Sequence, residues 1–481
     1  MPIRIPALFF LATQVWCADY NPVRESIRRG LTETKTPSIA VAVARNGKIV
    51  WEEGFGWADR ERLIPATEHS LYSLASISKP ITATALMTLA GADKLDLDKP
   101  ANDYLGPAKL KARIGDASEA TLRRIANHSS GLPLHYQFFY RDEQFTPPSS
   151  DDTILRYGNL IDPPGLTYRY SNLGYGILGY IIARTSGKSY EDYMREEVFQ
   201  KLGLTRMAVG LPPHLERYQA VRYGEDGLPI PFYDFDHRGA SAIYSSAHDL
   251  VRFGMFHLKE HLDDQQAIIS DAMIEEMQRS TVRTGPRSGY GAGWGTLDRP
   301  DGYRVVSHTG GMGGVVTILN LVPADRLAVV VLANARTPLV QRITQQIMAA
   351  SLPNWKQQPG VPSEAGEFKP SPEWTGEWKG AVNTYQRDIP LVLTVRASGE
   401  IVARLGTQFK TLLDEVNWHE GELTGSMHVT QSFEDANRRP HYLHLTLKLR
   451  GGNLNGAASF ISQPGKRAGN ALTQWVELKK Q

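Results

Sequence analysis

Strand-forming sequence falls in two blocks far apart in the chain, and that separation limits the available folds more than any other feature. The first block is residues 38–45 and 48–55, with Asn46-Gly47 between them. This dipeptide suits the two positive-φ positions of a tight turn, so the runs are predicted to form a hairpin. The second block is 303–307, 315–322 and 327–333, the last two joined by Pro323-Ala324-Asp325-Arg326. Residues from about 95 to 285 carry helical patterns, as at 173–185 and 190–202, and long loops bearing Pro and Gly. Further helices are expected at 339–352 and at 76–92, where Pro80 in the first turn lacks only an N–H that has no helical partner. The fold class is therefore α+β: an antiparallel sheet sewn from both halves of the chain and flanked by helices, with a helical subdomain inserted in the middle. A ligand cleft is expected at the seam.

At 481 residues the chain exceeds one ordinary domain. Residues 357–372 hold Pro359, Pro362, Pro370 and Pro372 and read as a linker. Beyond it, 373–481 shows short alternating strands at 391–395, 401–405, 441–449 and 456–461, divided by turns such as Ser398-Gly399 and Gly451-Gly452. That pattern predicts a small all-β, lipocalin-like barrel that packs on the first domain and shapes its cleft. It contains no catalytic cluster.

Residues 1–18 resemble a signal peptide, with Arg4, an apolar run and Cys17-Ala18 before a cleavage point; Trp16 departs from the small residue preferred there, and a retained helix is the alternative. The first domain then spans 19–356, and an exported, periplasmic or extracellular protein is expected. Cys17 is the only cysteine, so an intramolecular disulfide, a cysteine zinc site and a cysteine nucleophile are all excluded. A net charge of +2 gives no field that would argue for nucleic acid or an anionic membrane.

Ser76-Ile77-Ser78-Lys79 sets a hydroxyl and an amine three residues apart, and one helical turn brings them onto one face. A serine hydroxyl is a poor nucleophile until a base takes its proton. Lys79 can be that base or can lower the pKa of one. A Ser-x-x-Lys run arises about once or twice by chance in a chain this long, so it needs support. Tyr170-Ser171-Asn172 and His308-Thr309-Gly310-Gly311, the latter at the end of the 303–307 strand, supply it. By themselves Tyr170 and Asn172 also read as capping and packing residues, with Asn172 as N-cap of the helix that follows.

Ser-x-x-Lys, Tyr-x-Asn and His-Thr-Gly in this order resemble the three motifs of the serine β-lactamase and penicillin-binding-protein superfamily. The likeness is greatest to the class C branch, which includes D-alanyl-D-alanine carboxypeptidases, D-aminopeptidases and family VIII esterases. Runs at 127–133, 239–247 and 290–295 add to it, and it covers about 25–350. The resemblance implies acyl transfer through a serine ester on Ser76. Tyr170 would carry the proton, its phenol lowered towards neutrality by flanking ammonium groups. Lys79 would hold the hydroxyls of Ser76 and Tyr170 or act as the base itself. Asn172 would bind the substrate's amide carbonyl. The backbone N–H groups of Ser76 and Gly311 would receive the oxyanion, and Gly310 and Gly311 would let substrate lie against the strand edge beside His308 and Thr309. His128 and Tyr244 are read as structural.

Most β-lactamases carry Lys at the position of His308, whereas His is seen in carboxypeptidases, D-aminopeptidases and some esterases. A partly charged histidine is expected to favour anionic substrates as pH falls towards 6. The expected function is a cofactor-free serine hydrolase acting on a small ester or peptide amide. The alternatives are a class C-like β-lactamase hydrolysing β-lactams and a catalytically silent sensor or scaffold. Neither metalloprotease His/Glu patterns nor a Gly-x-Ser-x-Gly elbow occurs.

Overall fold

The structure, a computed structural model, describes residues 18–357 and 366–481. All but the last residue of the signal-peptide segment, and residues 358–365 of the linker, lie outside the described residues.

Helix α1 (Asn21–Thr34) leads into strands β1 (Ser38–Arg45) and β2 (Lys48–Asp59). The hairpin turn forms as the sequence predicts, with Asn46 at φ 51° and Gly47 at φ 73°. Helix α2 (Ser78–Gly91) and helix α3 (Asn172–Ser186) pack together in the inserted helical region. The chain returns to the sheet through β3 (Arg304–Met312), β4 (Val315–Val322) and β5 (Leu327–Ala333), and helix α4 (Leu339–Ser351) closes this part. β5 pairs antiparallel with β1, Ala42 opposite Val330, and this is the seam joining the chain's two halves. The resulting nine-stranded sheet is antiparallel wherever its strands pair.

Strand alternation explains why β1 is apolar throughout. Ile39, Val41 and Val43 face α1 and α4 with Ile27, Val329, Ile343 and Ile347. Ala40, Ala42 and Ala44 face the other way, into the core shared with Leu86, Leu319 and Val330.

β3 is longer than the hydropathy suggested. It continues through the polar and glycine residues 308–311 to Met312, because β4 pairs with it along that whole length. Its other neighbour, Gly295–Asp298, stops opposite Ser307. Residues 308–312 therefore present one open strand edge.

The C-terminal residues form a second nine-stranded antiparallel sheet, nearly closed into a barrel. Its end strands, Thr411–Leu412 and Asp414–His419, are neighbours in sequence. At its centre β6 (Asn453–Ser462) pairs with β7 (Ala471–Lys480). Trp378, Leu391, Leu445, Phe460 and Val476 fill the interior. The barrel docks on the first part by backbone as well as side chains. Tyr136 and Ala471 exchange hydrogen bonds of 3.0 and 2.9 Å. Asp162 is gripped by Arg169 and by Arg450, and Arg169 reaches on to Glu422 at 2.7 Å. Within the span read as a linker, Gly366 pairs with Trp418 and Phe368 is buried against Trp374 and Trp418. Among the described residues no helix is long and apolar enough to cross a membrane.

Candidate active site

Ser76 lies in a short 3₁₀ turn, Ala75–Ile77, at the entrance to α2. Ala75 immediately before it has φ 48°, a left-handed conformation that a side-chain-bearing residue holds only when its surroundings require it. Those surroundings are specific. Leu74 N–H donates to Ile243 O at 2.9 Å, and the Thr317 hydroxyl of β4 donates to Leu74 O at 2.9 Å. Gly310 of β3 packs so tightly here that a Cβ on it would sit 2.2 Å from Leu74 O and 2.2 Å from Thr317 Oγ1. Gly310 is thus required by the nucleophile's turn, whereas Gly311 faces open space.

Lys79, one turn into the helix, is completely buried. Its Nζ is 3.1 Å from Ser76 Oγ, 2.8 Å from Asn172 Oδ1 and 3.2 Å from Ala240 O. The last two atoms only accept and so take two N–H groups; if burial keeps the amine neutral, its lone pair is left for the Ser76 hydroxyl. Among the described residues Lys79 has no carboxylate partner, and burial holds its pKa well below the ordinary lysine range.

Burial pushes the Tyr170 phenol pKa up, and its interaction with Ser76 only partly offsets this. The expected lowering towards neutrality is therefore not what this environment produces. The alternative reading of Asn172 as the cap of α3 does not hold. Ser171 caps it, its hydroxyl accepting from Gly174 N–H at 3.1 Å, and Asn172 is left as the first helical residue with its amide on Lys79. His128, itself at φ 63°, stacks 4.4 Å from the Tyr170 ring, and its Nδ1 accepts from Ser171 N–H at 3.2 Å. It supports the Tyr-x-Asn segment from behind, a role with no signal in the sequence beyond its place in the 127–133 run.

Ser76, Tyr170, Asn172, Thr309, Gly310 and Gly311 all line one cleft of about 1280 Å³. His308 is not among the lining residues. Its Nδ1 donates to Thr309 O at 2.7 Å and its Nε2 accepts from the Tyr290 hydroxyl at 2.9 Å. Burial lowers its pKa to about 3. Against the expectation that His308 touches substrate and gains charge near pH 6 stand its two internal bonds and a burial that favours the neutral ring.

Other cleft residues had no sequence signal. Arg336, exposed at the end of β5, lines the cleft and makes no ion pair among the described residues. The β6–β7 loop, residues 462–470, forms another wall; there Lys466 pairs with Asp226 at 3.4 Å and Ala468 packs against Gly313.

A serine in a strained turn, an adjoining buried lysine, a tyrosine and an open strand edge are thus brought together on an α+β fold. The Beta-lactamase family model matches residues 23–351, and the chain belongs to that family. Penicillin-binding protein 4 of Amycolatopsis lactamdurans is 28% identical over 323 residues, 63% of this chain and 82% of that one. A beta-lactamase of Providencia stuartii is 26% identical over 371 residues, 70% of this chain and 92% of its own. The octameric penicillin-binding protein homologue from Pyrococcus abyssi superposes with TM-score 0.60 at 22% identity, covering 94% of this chain and 100% of its own.

Proposed function

We propose that the protein is a serine hydrolase that forms an acyl-enzyme on Ser76 and acts on a small ester or peptide amide, as D-amino-acid peptidases and esterases do. The observation carrying this reading is the desolvated Lys79, whose Nζ lies 3.1 Å from the Ser76 hydroxyl and whose burial favours the neutral amine. As Ser76 Oγ attacks the carbonyl carbon, Lys79 Nζ takes its proton. The backbone N–H groups of Ser76 and Gly311 receive the oxyanion. Tyr170, a neutral phenol beside Oγ, passes a proton to the departing oxygen or nitrogen and is resupplied from Lys79. Water then attacks the ester carbonyl by the same route, releasing acid and Ser76. Asn172 keeps its amide nitrogen for a substrate carbonyl, because its oxygen is taken by Lys79.

A β-lactamase reading has one observation in its favour: Arg336 offers the cleft a cation that a carboxylate can use. Against it, position 308 holds a buried neutral imidazole. A fluorophosphonate probe should label the peptide containing Ser76, and labelling that survives Ser76→Ala would sink the proposal. Turnover of p-nitrophenyl butyrate, D-alanyl p-nitroanilide, an acyl-D-Ala-D-Ala peptide and nitrocefin decides the substrate. Nitrocefin outpacing the other three makes the protein a β-lactamase, and no turnover or labelling leaves a silent scaffold.

A further inference from the structure

A second polar cluster opens onto the same cleft and has no part in the steps above. Asp236 is buried and bonded on both oxygens: His237 Nδ1 lies 2.6 Å from Oδ1 and His135 Nε2 lies 2.6 Å from Oδ2. Burial alone would raise Asp236, but the two imidazoles hold its pKa well below the usual carboxylate range. Both ring nitrogens facing it are therefore donors, which puts the His237 proton on Nδ1 and its lone pair on Nε2. Burial also lowers the His237 pKa, in keeping with a neutral ring. Nε2 has no partner among the described residues, yet it is not among the atoms shut away from solvent, and His237 lines the cleft.

The position is built rather than incidental. His237 backs onto α3 at Gly176, one turn beyond Asn172, where a Cβ would come within 2.8 Å of the His237 Cα. Three residues further on, Ala240 O holds Lys79. His237 therefore shares a wall with Asn172, close to the reacting groups. An oriented acceptor opening on the cleft offers a fixed point where a donor on a ligand can replace water.

We propose that His237 Nε2 contacts substrate, accepting a hydrogen bond from an amine or hydroxyl on its acyl part, with Asp236 and His135 as positioning residues behind it. This rests on the acyl-enzyme reading of Ser76 and adds a substrate preference: α-amino or α-hydroxy acyl groups over plain ones.

The test is protection of Ser76 from fluorophosphonate by alaninamide, lactamide and propionamide, which differ only in the amine, hydroxyl or hydrogen on the α carbon. In the wild-type protein alaninamide, lactamide or both should protect at concentrations about tenfold or more below propionamide, and which of them does so names the donor. His237→Phe should erase that advantage while Ser76 still labels. His237→Gln, which keeps an acceptor, should restore part of it. Asp236→Asn, which no longer fixes the tautomer, should reduce the amide ratio without changing propionamide. Equal protection by all three amides in the wild type, or an advantage that survives both His237→Phe and Asp236→Asn, would overturn the proposal. Wild-type protein that fails to label at Ser76 refutes the acyl-enzyme reading instead.

Discussion

Lys79 spends its two N–H groups on Asn172 Oδ1 and Ala240 O, which leaves one lone pair for one proton, and that division sets what its loss should do. Lys79→Ala and Tyr170→Phe should each cut kcat by about 10²–10⁴ with the fold intact, read by steady-state kinetics beside circular dichroism. Near-normal kcat in Tyr170→Phe would hand its proton transfer to Lys79 alone. The sign of the pH effect follows from the lowered lysine pKa. Only the deprotonated amine accepts a proton, so kcat/KM should fall as pH drops through that pKa and hold steady above it, well below the usual lysine range. His308, already neutral, adds no rise for anionic substrates near pH 6. A rise between pH 7 and 6 for carboxylate-bearing substrates alone would contradict this. The residues Ser76, Lys79, Tyr170 and Asn172 were legible because short spacings carry them. The direction of their pKa shifts was not, since burial depends on distant segments such as the one holding Ala240.

At the scale of elements, the nucleophile's turn and β3 are made for each other. Gly310→Ala should push the strand from the Leu74 carbonyl and misplace the Gly311 N–H, lowering kcat/KM by about 10²-fold. Gly311→Ala, with nothing within 4 Å of the added carbon, should leave the turn intact and act only on bulky substrates. Comparing the two variants in fluorophosphonate labelling rates separates these effects. Hydropathy located the hairpin, the seam and most C-terminal strands because apolar alternation marks them. It stopped β3 at Ser307, since residues 308–311 are strand only by virtue of β4. The alternative reading of Asn172 as a cap gives way to Ser171, since both residue types cap well and the Asn172 amide is drawn to Lys79.

The whole molecule carries an acid liability. His257 and His308 are buried in neutral form, each with a pKa lowered to about 3 from an ordinary 6.5. The unfolded chain takes up these protons first as pH falls, so protonation favours unfolding between about 6.5 and 3, and the stability each neutral ring carries is complete only above that window. Each should steepen the loss of unfolding free energy by about 1.4 kcal/mol per pH unit in this range. Urea titrations at pH 7, 6, 5 and 4 measure it; a flat profile would mean that the rings are hydrated. One earlier feature acts in time rather than in space. The cleft wall at 462–470 and the strand that anchors it follow far behind β3 and β4 in sequence. During synthesis the strands that hold the serine's turn emerge well before this wall does. A growing chain can therefore hold Ser76 beside an unfinished, wider cleft until that wall arrives.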